Sequence, residues 1–159
     1  MIKFYTKAWL DEIARRLESD PRFAQDGKKL NGTFVFRIYD GPDGKDRRTQ
    51  WTFKQGKALD YRYESHPSPW EELRKEPFSA NFVMRSSAPF TMAAKLNRGE
   101  ISAARALTSP EYQVEGNKSM IMMMMKSINV WNEVATAIEV AYDFTDDGPE
   151  TAEATSAQV

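Results

Sequence analysis

The chain of 159 residues carries 22 Lys+Arg against 23 Asp+Glu, one His and no Cys, the size of a single domain that can bury a core without disulfides or a structural metal. Its formal net charge of −1 argues against a partner dominated by the phosphate backbone of nucleic acid. The absence of cysteine removes thiol nucleophiles, thiolate metal sites and disulfides together.

Trp9, Leu10, Ile13, Ala14 and Leu17 recur at helical spacing, with Thr6 placed to cap the N-terminus of that helix. Asp20-Pro21 ends it, and Pro21 suits the first position of a short second helix running to about Gln25. From Leu30 the period changes to two. Phe34, Phe36 and Ile38 alternate with Val35, Arg37 and Tyr39, and GPDG then turns the chain. Trp51 and Phe53 alternate with Gln50, Thr52 and Lys54; after a turn at Gln55-Gly56-Lys57, Leu59, Tyr61 and Tyr63 alternate with Asp60, Arg62 and Glu64. Strands joined by short turns predict an antiparallel meander with one apolar, aromatic face, serving either as core or as the lining of a ligand site.

Pro67-Ser68-Pro69 breaks the third strand and leads to a helical turn over Trp70–Arg74, and Phe78–Ser86 returns to extended character. A helix from about Pro89 presents Phe90, Met92, Ala93 and Leu96 and ends near Gly99, a residue suited to a helix C-terminus. A short helix over Ile101–Leu107 stops at Ser109-Pro110, and a short strand runs from Tyr112 to Gly116. Asn117 is placed to cap a last helix, on which Ile121, Met124, Ile128, Trp131, Ala135, Ile138 and Tyr142 share one face. This order predicts an α+β domain, a sheet with helices packed on it.

Five of the acids, Asp143, Asp146, Asp147, Glu150 and Glu153, fall in residues 143–159 with no base, leaving 18 acids against all 22 bases in residues 1–142. The expectation is one domain over 1–142 and an acidic, disordered tail over 143–159, too poor in large apolar residues to order itself by burial. The longest apolar run, Met120–Met125, is six residues, far short of the ~20 that a membrane span needs. The charged start has no signal-peptide core and AQV is not a peroxisomal address, so a cytoplasmic location is expected.

Catalytic chemistry finds little support. His66, beside two prolines, reads as a surface loop residue rather than a base. Asp40, Asp43 and Asp46 lack the spacing and closing Glu of a calcium loop and read as a polar hairpin turn, so no metal is expected. Neither GxGxxG nor GxxxxGK[ST] occurs, so no nucleotide cofactor has its usual cradle, and the adjacent Glu71 and Glu72 would not face each other on a helix. The methionines stand out: five of the eight lie in Met120–Met125. Flexible and polarisable, they form either a loosely packed core or a wall that repacks around varied apolar ligands.

The stretch from Phe90 to Asn117 resembles the sterol carrier protein 2 family of lipid-binding domains. Phe90 fits the family's aromatic, Gly99-Glu100-Ile101 its glycine element, Ala106-Leu107 its second helix, and Tyr112-Gln113-Val114-Glu115-Gly116-Asn117 its closing strand. Pro110 stands where the family usually has Gly, and Asn117 replaces the usual Asp while keeping the ability to cap. The order of elements extends the resemblance to roughly residues 5–142. It implies a five-stranded, largely antiparallel sheet covered on one face by helices, an apolar cavity between them, and non-catalytic binding or transfer of lipids such as fatty acids, acyl-CoA or sterol-like molecules.

On this reading the expected wall is Phe90, Met92, Leu96, Leu107, Met120, Met123, Met124, Met125, Ile128 and Trp131. Lipid carriage leads, with a hydrophobic small molecule as partner, no cofactor, no nucleic acid, and transient contact with a membrane surface or an enzyme. The second reading is an accessory subunit of a degradative pathway whose apolar groove holds a protein partner. The third is an enzyme on an α+β cone using Asp60 near Tyr61 or Tyr63, weakened because the strand phase turns Asp60 away from the tyrosines. Lys28, Lys29, Arg47 and Arg48 are candidates for an anionic lipid surface or a CoA phosphate, or are solvated surface.

Overall fold

The structure is a computed structural model that describes residues 1–144. A two-residue strand β1 (Ile2–Lys3) leads into α1 (Lys7–Ser19), which buries Trp9, Leu10, Ile13 and Leu17 on one side. Thr6 caps it as expected, accepting from the Trp9 amide and donating to the Lys3 carbonyl. Asp20 accepts from the Arg22 and Phe23 amides, and Pro21 opens α2 (Pro21–Asp26). The hairpin strands follow as β2 (Gly32–Tyr39), β3 (Lys45–Lys54) and β4 (Lys57–Pro67), then α3 (Glu71–Lys75) and β5 (Phe82–Pro89). The chain continues through α4 (Phe90–Asn97), α5 (Ala103–Ala106), β6 (Gln113–Gly116), α6 (Lys118–Met123), α7 (Met125–Thr136) and β7 (Val140–Ala141).

The main sheet has five strands in the order β4-β3-β2-β5-β6. β5 returns across the meander to lie parallel beside β2, and every other pair in this sheet is antiparallel. The expected α+β architecture with a mostly antiparallel five-stranded sheet is the one observed, but α3 packs on the face opposite the other helices, where the Leu73 carbonyl accepts from Arg37. At the end of β6, Gly116 has φ +147, and a Cβ there would lie 2.3 Å from the Val83 carbonyl oxygen. That close approach lets the chain leave the sheet edge and enter α6, which Asn117 caps by accepting from the Met120 amide.

The aromatic strand face packs under α7. Trp131 meets Phe53, Phe34, Phe36 and Trp51 edge-on at ring-centroid distances of 5.0 to 5.7 Å, the geometry aromatic rings prefer. The last helix departs from expectation. It breaks at Met124 (φ −99, ψ 3) and ends at Thr136, and β7 then pairs in parallel with β1. A stripe extrapolated through that break loses its phase, so α6 and α7 do not present one continuous face. Phe144, on the tail side of the expected boundary, packs edge-on against Phe90. Residues 145–159, which hold most of the expected acidic tail, lie outside the described residues.

Candidate functional site

A cavity of about 290 Å³ lies between the sheet and its helical cover, near the lower end of the ~300–1,000 Å³ typical of small-molecule sites. Phe36 and Ile38 of β2 and Ser86 and Ala88 of β5 line it from the sheet. They are alternate residues on adjacent parallel strands, so the two-residue period puts them on one face. Phe4, Tyr5 and Trp9 close the corner between β1 and α1; Ala93, Leu96 and Asn97 come from α4, and Asn132, Ala135 and Thr136 from α7. Ile101, Ala103 and Tyr112 complete the lining, with Ala103, Asn132 and Thr136 at the solvent edge.

Among the described residues, no charged side chain lines this cavity. Its polar groups are hydroxyls, amides and the Trp9 indole; the buried Trp9 Nε1 has no hydrogen-bond partner among the described residues, and several of the others are engaged elsewhere. Asn97 Nδ2 donates to the Tyr142 hydroxyl at 2.7 Å, Thr136 Oγ1 to the Glu133 carbonyl, and Ser86 Oγ to the Tyr112 hydroxyl. The Tyr5 hydroxyl has no hydrogen-bond partner among the described residues. Burial, and next the neighbouring Tyr112 phenol, push the Tyr5 phenol well above the ordinary tyrosine value, so it stays a neutral donor.

The Tyr5 backbone is also unusual, with φ +56. An aromatic residue in the left-handed region carries roughly 1–2 kcal/mol of steric cost. The flanking bonds hold it there: the Phe4 amide donates to the Ala141 carbonyl and Thr6 Oγ1 to the Lys3 carbonyl. The Tyr5 ring sits 4.9 Å from Phe4 and 4.7 Å from Trp9.

Of the ten residues expected to form the wall, Leu96 lines the cavity. Phe90, Met124, Ile128 and Trp131 belong to the main core, and Met92 to a smaller cluster with Ala88 and Ala106. Met125 is half-buried. Leu107 (59% exposed), Met120 (42%) and Met123 (74%) face outward and do not line it. α6 is a short helix on the sheet edge, and its break at Met124 turns these methionines away from the interior. Trp9, Phe36, Tyr112 and Ala135 were legible as apolar positions, whereas Tyr5 was missed, and their convergence comes from strands and helices far apart in sequence.

The basic candidates are not brought together. Arg47 and Arg48 are successive on β3 and project to opposite faces. Arg47 is fully buried against Asp43, at 2.6 Å, whereas Arg48 reaches Glu76 and Gln50. Lys28 and Lys29 are exposed beyond α2. Asp60 pairs with Arg62, and the Tyr61 hydroxyl donates to Asp11 instead. His66 lies within β4 rather than in a loop, with its ring 4.2 Å from that of Trp70 and Nε2 3.4 Å from Glu64. It borders a wider cleft of about 760 Å³ between β3, β4 and α3, lined in part by Glu64, Trp70, Glu71 and Glu72. Among the described residues no group of three or more His, Asp or Glu is placed to hold a metal ion, and no helix is long and apolar enough to cross a membrane.

No family model and no curated protein matches the sequence. Solved structures do match. A crystal structure of sterol carrier protein 2 superposes with a TM-score of 0.63 at 13% identity, covering 87% of this chain and all of that one. A solution structure of a conserved hypothetical protein from Thermus thermophilus, described as possibly a sterol carrier protein, gives 0.65 at 12% identity over 93% of this chain and 96% of that one. The chain therefore has the sterol carrier protein 2 fold.

Proposed function

We propose that the chain is a non-catalytic binding module that carries a hydrophobic metabolite in the cavity between its sheet and α4, α5 and α7. The observation that carries this reading is the cavity itself: apolar and aromatic, uncharged along its lining, and placed between the elements that form the rest of the core. The shared fold with sterol carrier protein 2 supports a lipid-like ligand, with fatty acids, acyl-CoA and sterol-like molecules as the classes to compare. Leu96, Ala93, Ala135, Phe36 and Ile38 supply the apolar contacts. A ligand burying roughly 200 Å² of apolar surface gains about 5 kcal/mol before the cost of immobilisation, so affinities weaker than about micromolar are expected.

Native mass spectrometry of the full chain as purified tests this reading directly, followed by denaturing extraction of any bound molecule. A ligand near one-to-one stoichiometry is expected, and Ala103→Phe at the cavity edge should lower occupancy while the circular dichroism spectrum is unchanged. An empty protein that also ignores fatty acids, acyl-CoAs, sterols and small aromatic compounds overturns it. The exposed Leu107, Met120, Met122 and Met123 would then be the place to look for a protein partner.

A further inference from the structure

We propose that the cavity selects a small, neutral ring compound bearing a carbonyl oxygen, and that this oxygen accepts a hydrogen bond from the Tyr5 hydroxyl. This rests on reading the cavity as a ligand site and narrows the class of ligand it takes.

Three observations converge. The first is charge. Among the described residues no Lys, Arg, His, Asp or Glu lines the cavity, so an ionised carboxylate or phosphate taken inside would be desolvated without a counter-ion from them, which is strongly unfavourable. The second is shape. A cavity of about 290 Å³, near the lower end of the ~300–1,000 Å³ of small-molecule sites, suits a compact ring body better than a long acyl chain. Its walls include the rings of Phe4, Tyr5, Trp9, Phe36 and Tyr112, surfaces that pack well against a flat ring by stacking or by edge contacts.

The third is the donor. Tyr5 lines the cavity and its hydroxyl has no hydrogen-bond partner among the described residues, as is also true of the buried Trp9 Nε1, whereas the Asn97, Thr136 and Ser86 side chains each donate within the protein. Tyr5 is held there in a left-handed backbone conformation that its side chain disfavours. Asp40 and Gln55, the other non-glycine residues with positive φ among the described residues, flank the hairpin turns, where such angles serve to reverse the chain. Tyr5 lies in the short turn between β1 and α1, so its angle also directs the chain into the helix; strain of this kind is found at positions that present a group to a ligand. A neutral phenol with a free O–H is matched by an acceptor-only group, which a ketone supplies and a hydrocarbon lacks.

Equilibrium dialysis of the full chain with three size-matched probes tests the inference: 2-acetylnaphthalene, naphthalene and 2-naphthoate. The ketone should bind at least about thirtyfold more tightly than the carboxylate, because the latter would be buried unpaired. Tyr5→Phe should weaken the ketone by about fivefold, the worth of one net hydrogen bond, and leave naphthalene unchanged. Carboxylate binding equal to that of the ketone overturns the inference, as does a ketone affinity that Tyr5→Phe does not change, while the cavity reading survives either result. Failure of all three probes and of the lipid panel overturns the cavity reading itself.

Discussion

The two faces of the main sheet bury largely different chemistry, with the Arg47–Asp43 pair the charged exception on the helix side. Under the helices, Phe34, Trp51 and Phe53 pack around Trp131, and the space left over is an uncharged cavity. On the other face, Arg37 and Arg85 are buried side by side. Arg85 makes two bonds to Glu115 and one to the Glu76 carbonyl, and Arg37 donates to Ser87 and to the Leu73 carbonyl. Asp46, with no exposed surface, accepts from Arg74, Ser68 and the Asp40 and Trp70 amides. These bonds tie the segment from Ser68 to Glu76 onto the sheet. The comparison teaches why the helix side is suited to a ligand: dispersion and burial tolerate a missing atom or an extra guest, whereas a buried ion network demands that every partner stay in place.

Truncation should separate the two faces most sharply at Trp131. Trp131→Ala removes the centre of the aromatic cluster and should cost about 4 kcal/mol, measured by urea unfolding, with probe binding in the adjoining cavity weakened as well. Asp46→Ala should cost about 3 kcal/mol by removing the acceptor of Ser68 and of the Asp40 and Trp70 amides and leaving Arg74 with Asp40 alone, yet probe affinity should be unchanged. A loss of binding in Asp46→Ala at a temperature where it is still folded would break the separation between the faces.

Acid should act on the ion-paired face. Burial raises the Asp46 carboxyl, but the bonds from Arg74, Ser68 and the amides outweigh it and hold it well below the ordinary 3.8. On α1, hydrogen bonds from Arg15 and Arg16, the first the larger, lower Glu12 from 4.5 to about 2 despite opposing desolvation. Both folded values lie below the unfolded ones, so the stabilisation is present above about pH 4.5 and is lost as pH falls through the folded values. The urea midpoint should therefore fall between about pH 5 and pH 2, and Asp46→Asn should flatten that dependence. The smallest effect is expected outside both regions. Met122→Ser and Met123→Ser, 68% and 74% exposed, should change stability by less than about 0.5 kcal/mol and leave probe binding untouched.

Much of the fold was legible in the sequence. Thr6, Asp20 and Asn117 cap helices where their side chains and spacing imply. The alternation of Phe34, Phe36 and Ile38 against Val35, Arg37 and Tyr39 defined a strand with two distinct faces. The Phe90–Asn117 pattern pointed to the fold that the superpositions show. The site was less legible. Leu96 was named for its helical face and does line the cavity, but Met120, Met123 and Leu107 were named on the same grounds and face solvent.

The reason is physical. Capping, turn chemistry and hydrophobic period act over a few residues, so the local sequence by itself determined most of the elements, the sheet's apolar face and the absence of thiol chemistry. Three decisions depended on atoms distant in the chain. The parallel return of β5 beside β2 joined Ser86 and Ala88 to Phe36 and Ile38. The break at Met124 redirected the methionines, and the pairing of β1 with β7 holds the corner where Tyr5 lines the cavity. Only tertiary packing decides these, because a cavity is the space that separate elements fail to fill.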